Sequence, residues 1–315
     1  MIDFDEQLSL CHQSDADVAD FLELLGDHDA ARALREAGAR GQGLSGFMSP
    51  PWRQATHVYG FIEEGRNDGK PIRIAPAVES EPDGSLVGQQ IKVTLDAFRI
   101  HDYPGFGRHT VLFDFAGRDQ AGPEAQDLQF ASVLSAGDGE AAAVSGLPIF
   151  TGLTVPRDGL SFKARTVLIG NTGDDVILEV LQSSAFKDGL KLLGMVQPAL
   201  PQLVAMAGGI ARNLMKRPRN KQIQLFDLGL DFSDGRTSAR LRRGSYVVVQ
   251  VPGTSTWRWA DWALDPSTMT LIDADGRAAP HNMIVFAVSS SAAGTASSSS
   301  RSDGRKALKT VAKRL

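Results

Sequence analysis

Residues 226–233 read FDLGLDFS. Phe226, Leu228, Leu230 and Phe232 fall on one face of an extended chain, and Asp227, Gly229, Asp231 and Ser233 on the other. Successive side chains of a strand point to opposite faces, so this alternation marks a strand with one face buried and one wet. The same period recurs upstream. Ile91, Val93 and Leu95 alternate with Lys92, Thr94 and Asp96; Val111, Phe113 and Phe115 with Leu112 and Asp114; Leu160, Phe162 and Ala164 with Ser161, Lys163 and Arg165. Tyr246–Val251 is a run rich in β-branched residues, suited to an inner strand. Met269–Ile272 and Met283–Val288, separated by the Asp275–Gly276 turn and a short loop, read as a closing hairpin. Many short strands punctuated by turns point to an antiparallel β-sandwich.

The strand pattern is interrupted once, at about 174–217. Val176, Ile177, Val180 and Leu181 begin an amphipathic helix expected to run to about Leu193. After Pro198 and Pro201, a second helix carries Leu200, Leu203, Val204, Ala207, Ile210, Ala211, Leu214 and Met215 at helical spacing. The expected fold is therefore mainly β with α: a sandwich interrupted by an apolar helical pair, with a small N-terminal helical region. That region covers residues 15–37, with Ser14 or Asp15 as cap and Gly26 as a break. The expected organisation is 1–46 (helices and a Gly-rich linker), 47–87 (turn-rich connection, with a short strand at Val58–Ile62), 88–290 (sandwich) and 291–315 (basic tail).

Composition narrows the classes. Of 315 residues, 42% are hydrophobic and 22% charged, which supplies a sizeable core. The single cysteine, Cys11, excludes an intramolecular disulfide framework and a cysteine-built zinc site, and points to a reducing, cytoplasmic compartment. The acidic start, MIDFDEQLSL, lacks the basic end and apolar run of a secretion signal. Six basic residues against Asp303 give residues 301–315 a net charge of +5, while the other 300 residues carry −9. An acidic body argues against a broad nucleic-acid surface; only the tail offers one.

Several constellations could carry chemistry. His101, Asp102, His109 and Asp114 flank a Tyr-Pro-Gly-Phe-Gly turn; if the flanking strands pair, imidazole and carboxylate meet for acid–base hydrolysis or a divalent metal. Asp227 and Asp231, with Asp273 and Asp275, are carboxylates next to strands, as a Ca²⁺ site on sandwich loops requires; an ordinary turn at 273–276 and solvated Asp227 and Asp231 are the stronger reading. Trp257, Trp259 and Trp262 fall within six residues, as a stacking patch or as core. Lys216, Arg217, Arg219 and Lys221 close the second helix, where cations also suit a helix C-terminus. Gly41-Gln-Gly43-Leu-Ser-Gly46 has the letters of a dinucleotide fingerprint, but a helix precedes it and Pro50–Pro51 follows. Ser184-Ala-Phe-Lys187 has the spacing of a serine–lysine pair without its partner motifs.

A strand sandwich with loop carboxylates over about 88–290 resembles the C2-type lipid-binding domains, from which the helical interruption departs. Three functional expectations follow. The leading one is a non-enzymatic binding module that meets an anionic membrane or a protein partner through the 198–221 segment, the tryptophans or the tail, and so sits at the membrane periphery. The second is a hydrolase using His101, Asp102, His109 and Asp114. The third is a self-assembling structural subunit, a homo-oligomer.

Overall fold

The structure, a computed structural model, describes residues 4–39, 49–65, 69–120, 125–170, 179–192, 200–233 and 238–291. Among these, fifteen strands form three sheets. The first has seven strands, ordered β3 (Ala75–Pro76), β1 (Thr56–Glu63), β12 (Gly244–Val251), β15 (Met283–Ser290), β4 (Gln90–Arg99), β7 (Leu147–Thr154) and β9 (Leu190–Lys191). The second has five: β11 (Ala239–Arg240), β10 (Asn220–Asp231), β8 (Leu160–Ile169), β5 (Arg108–Asp119) and β6 (Gln126–Gly137). The third is small: β14 (Thr270–Ile272), β13 (Ala263–Asp265) and β2 (Ile72–Arg73). The main strands pair antiparallel, and the fold is the expected mainly β sandwich with helices.

The alternation read from the sequence sorts side chains into layers. Phe113, Phe115, Phe162, Phe226, Leu228 and Leu230 of the five-stranded sheet meet Ile91, Val93, Leu95, Phe150, Tyr246 and Phe286 of the seven-stranded one. Phe115 centres this core, with the Phe162 and Phe286 rings 5.1 Å away and Phe150 at 5.7 Å. The opposite face of the seven-stranded sheet buries Val247, Val249, Val251 and Val285 against Leu264, Leu271 and Trp259. The β12 run is therefore apolar on both phases because both its faces are covered.

Two helices close the N-terminal end. Ser14 accepts from the Asp17 N–H and caps α1 (Asp15–Leu25), and Gly26, at φ 86°, ends it before α2 (His28–Ala39). Val18, Phe21 and Leu22 join the main core. The 47–87 stretch contributes β1, which pairs with β12 along its whole length.

Two local expectations differ. Met269–Ile272 and Met283–Val288 form no hairpin: β14 pairs with β13, whereas β15 lies between β12 and β4. Both faces of β15 are apolar, and only an interior position covers both. The first interrupting helix does not run on to 193. After α3 (Ser184–Lys187), Gly189 turns at φ 68° and Leu190–Lys191 pairs parallel with β7. A Cβ on Gly189 would strike the Pro148 backbone, so close approach and backbone conformation both select glycine.

The second helix, α4 (Leu200–Met215), forms as expected. Ala207, Ala211 and Leu214 cover Leu112, Ala131 and Val167 on the outer face of the five-stranded sheet. Among the described residues, no helix is long and apolar enough to cross a membrane. The Gly41–Gly46 stretch, the beginning of the first interrupting helix at 174–178, Pro198 and the tail at 292–315 lie outside the described residues.

Candidate functional site

The loop between β4 and β5 brings three of the four predicted acid–base residues together. The backbone N–H groups of His101 and Asp102 both donate to Asn282 Oδ1, at 2.8 and 3.2 Å. His109, at the start of β5, turns inward and is 4% exposed. Its Nε2 lies 2.9 Å from Oδ1 of Asp138, an oxygen that also accepts from the Tyr103 N–H at 3.1 Å. Burial, with the Asp138 charge nearby, pushes the Asp102 carboxyl up to about 6, against the pull of His109 and a hydrogen bond from Trp52. Burial, with Arg99 adjacent, lowers His101.

Behind this cluster the sandwich end is unusually polar. Tyr103 Oη is 2.9 Å from Thr166 Oγ1 and accepts from the Gln224 amide at 2.9 Å. Asn282 Nδ2 donates to Gln250 Oε1 at 3.0 Å, and Gln250 Nε2 donates to the Gln54 carbonyl at 2.6 Å. Burial pushes the imidazoles of His57 and His281 down to about 4 each, against hydrogen bonds from the ring to the Gln224 side chain in the first and to the Gln250 backbone carbonyl in the second. Buried amides of this kind need partners on every side, which ties the β4–β5 loop to β10, β12 and β15.

Asp114 is not part of that cluster. The period of two places it on the outer face of β5, under α4, where its Oδ2 lies 2.8 Å from Arg165 Nη2 and neither side chain reaches water. The Gln129 amide donates to its Oδ1 at 2.8 Å. Burial raises the Asp114 carboxyl, with Arg165 and Gln129 pulling the other way.

The four predicted Ca²⁺ carboxylates are each answered by a cation. Asp227 pairs with Lys163 (3.2 Å) and Asp231 with Arg240 (3.4 Å), both on the five-stranded sheet. Asp273 and Asp275 belong to the turn after β14 and both engage Arg277. Among the described residues, no three histidine, cysteine or acidic side chains are grouped to hold a metal ion.

The tryptophans pack on one another. The Trp257 ring stacks on Trp262 (5.3 Å, 10°), meets Trp259 edge-on (5.2 Å, 79°) and meets His281 in the same way (5.3 Å, 80°). All three lie against the core under the three-stranded sheet. Trp257 is thus occupied on several sides and offers little free ring for a ligand.

The described part of the 198–221 segment, 200–221, presents a mixed surface. Ala207, Gly208, Ala211 and Leu214 are buried, Leu203, Val204, Ile210 and Met215 are half-buried, and Met206 is 44% exposed. Arg212, Lys216 and Arg219 are exposed, and Lys216 and Arg219 have no ion-pair partner among the described residues. Arg217 is partly buried, and Lys221 lies with its Nζ 5.9 Å from the centre of the Phe21 ring, against α1.

No protein-family model, curated protein or solved structure matches this chain.

Sequence reasoning missed Asp138 and the amides Gln224, Gln250 and Asn282. A signal existed for one: Gln250 breaks the run Val247-Val-Val-Gln-Val251 at a position whose neighbours are all buried.

Proposed function

We propose that this chain is a non-enzymatic binding module that attaches to an anionic membrane surface through α4 and the basic residues that follow it. The supporting observation is the pairing of Met206, exposed beside half-buried Leu203, Val204 and Ile210, with the exposed cations Arg212, Lys216 and Arg219. An amphipathic surface lying in a bilayer interface combines those two terms: apolar side chains enter the acyl boundary and cations meet lipid phosphates. Residues 1–300 together carry −9, so a local basic surface among them also sets the orientation of approach. Co-sedimentation of the full chain with phosphatidylserine-containing vesicles, against pure phosphatidylcholine vesicles, tests this. Binding to the anionic vesicles alone is expected, with no Ca²⁺ requirement; absence of binding to either ends the membrane reading.

The Asp138-bound His109 beside Asp102 supports a second reading, acid–base hydrolysis, because it sets a carboxyl raised to about 6 next to an imidazole held in one orientation. Turnover of ester or phosphoester probes, abolished by Asp102→Asn and His109→Gln with the fold retained, is its test.

A further inference from the structure

Where β1 and β15 end, an open groove of about 290 Å³ runs between the seven-stranded and three-stranded sheets. Its apolar wall includes Ile62, Ile72, Leu264 and Met269, and its rim carries Glu63 and Glu64. Both glutamates also line an adjoining polar hollow of about 420 Å³, where Glu81 and Asp83 bring the carboxylates to four against the two guanidiniums of Arg242 and Arg243. Glu63 lies 3.7 Å from Arg242, and Asp83 3.5 Å from Arg243. Glu64 and Glu81 have no ion-pair partner among the described residues.

We propose that the occupant of this paired apolar and acidic groove is the C-terminal segment of the same chain, residues 305–315. Three observations converge on it. The first is the point of departure: Ala287, Val288 and Ser289 of β15 line the groove, so the chain leaves the fold at its rim. The second is pattern. Leu308, Val311, Ala312 and Leu315 follow the i, i+3, i+4, i+7 spacing of one helical face, while Arg305, Lys306, Lys309, Lys313 and Arg314 surround it. The third is charge: a segment of net +5 meets carboxylates without cations of their own, on a body of net −9.

Length permits the contact. Residues 292–304 separate the end of the described chain from Arg305, and each residue extends by up to about 3.3–3.6 Å. A tether that is Ser, Ala, Gly and Thr apart from Arg301 and Asp303, and that begins at the site, raises the local concentration of the segment to about the millimolar range. A groove of modest intrinsic affinity is then occupied most of the time. Neither α4 nor its cations take part in this contact.

Limited trypsin digestion of the full chain, followed by mass spectrometry, tests it. The rate of cleavage after Lys309 is divided by that after Arg301 in the same molecules, and the free peptide 292–315 gives the unprotected ratio. Cleavage follows the population of the open form, so the ratio in the protein is expected about tenfold below that of the peptide. Glu64→Lys/Glu81→Lys on the groove side, and Leu308→Ser/Val311→Ser on the tail side, are each expected to restore it. Equal ratios in protein and peptide overturn the proposal. So does protection that survives the groove variants, which would place the tail elsewhere, or protection that grows with protein concentration, which would assign it to a second copy.

Discussion

Arg165 and Asp114 meet at 2.8 Å on the outer face of the five-stranded sheet, the guanidinium under the Phe4 ring and 3% exposed, the carboxylate fully buried. Neither ion has water to fall back on, and the Gln129 amide supplies the other carboxylate oxygen. Removing one partner strands a buried charge, whereas removing both strands none and leaves only the Gln129 amide to find a new acceptor. Arg165→Met is therefore expected to cost about 3–5 kcal/mol, and Asp114→Leu/Arg165→Met much less or nothing. Urea unfolding midpoints of the two variants check this; a double variant as damaged as the single one would show that the site needs its polar groups for more than charge balance.

Two adjacent glycines of α4 separate packing from helix propensity. A Cβ on Gly208 would lie 2.5 Å from Gln129 Oε1, and that amide is fixed by Asp114, while a Cβ on Gly209 meets nothing within 4 Å. Gly208→Ala is expected to destabilise by about 1–3 kcal/mol through displacement of Gln129 or lifting of the helix. Gly209→Ala should stabilise by up to about 1 kcal/mol, the helix-propensity difference. Thermal melts of the pair give the sign directly.

The polar end of the sandwich makes stability depend on pH through opposing groups. Asp102 holds its proton up to about 6 instead of 3.8, so its contribution is complete below 3.8 and is lost as pH rises through 6. His57 and His281 are pushed from 6.5 to about 4, so their contributions are present above 6.5 and lost as pH falls through 4. His57, His281 and His101 shift down while Asp102 and, on the other face of the five-stranded sheet, Asp114 shift up; at this end of the sandwich the histidines outnumber Asp102, and its contribution to stability is expected to fall as pH drops from 6.5 to 4. Asp102→Asn removes the opposing contribution. It should raise stability at pH 7 by on the order of 1 kcal/mol after solvent screening, and steepen the acid loss. Melting temperatures at pH 4, 5.5 and 7 test both statements; a shallower acid limb in the variant would contradict the assignment.

What could be read from the sequence was what depends on periodicity. Alternation in 91–95, 111–115, 160–165 and 226–233 located β4, β5, β8 and β10, and the phase of β5 already placed Asp114 opposite Phe113 and Phe115. Pairing was less legible, because which strand lies beside β15 depends on tertiary burial and not on proximity along the chain. The break at Gly189 was hidden for a related reason: its contact is with the backbone of Pro148, 41 positions away. In the candidate site, Asp138 carried no local signal. Its partner His109 lies 29 residues upstream, and only the β5–β6 register brings the two to one sheet end.

The membrane reading divides into an apolar and an ionic part that respond to different perturbations. Lys216→Gln/Arg219→Gln removes two exposed cations without touching the buried face of α4. It should weaken binding to phosphatidylserine vesicles at least about tenfold at low salt, since each basic residue near an anionic surface contributes separately. Raising ionic strength shortens the Debye length, so wild-type affinity should fall with salt more steeply than that of the variant. Met206→Ser should lower affinity by a factor nearly independent of salt, because it removes burial and leaves charge unchanged. Vesicle titrations of the three proteins at about 0.05 and 0.5 M salt distinguish the parts; if the charge variant keeps the wild-type salt slope, the basic residues after α4 are not the contact.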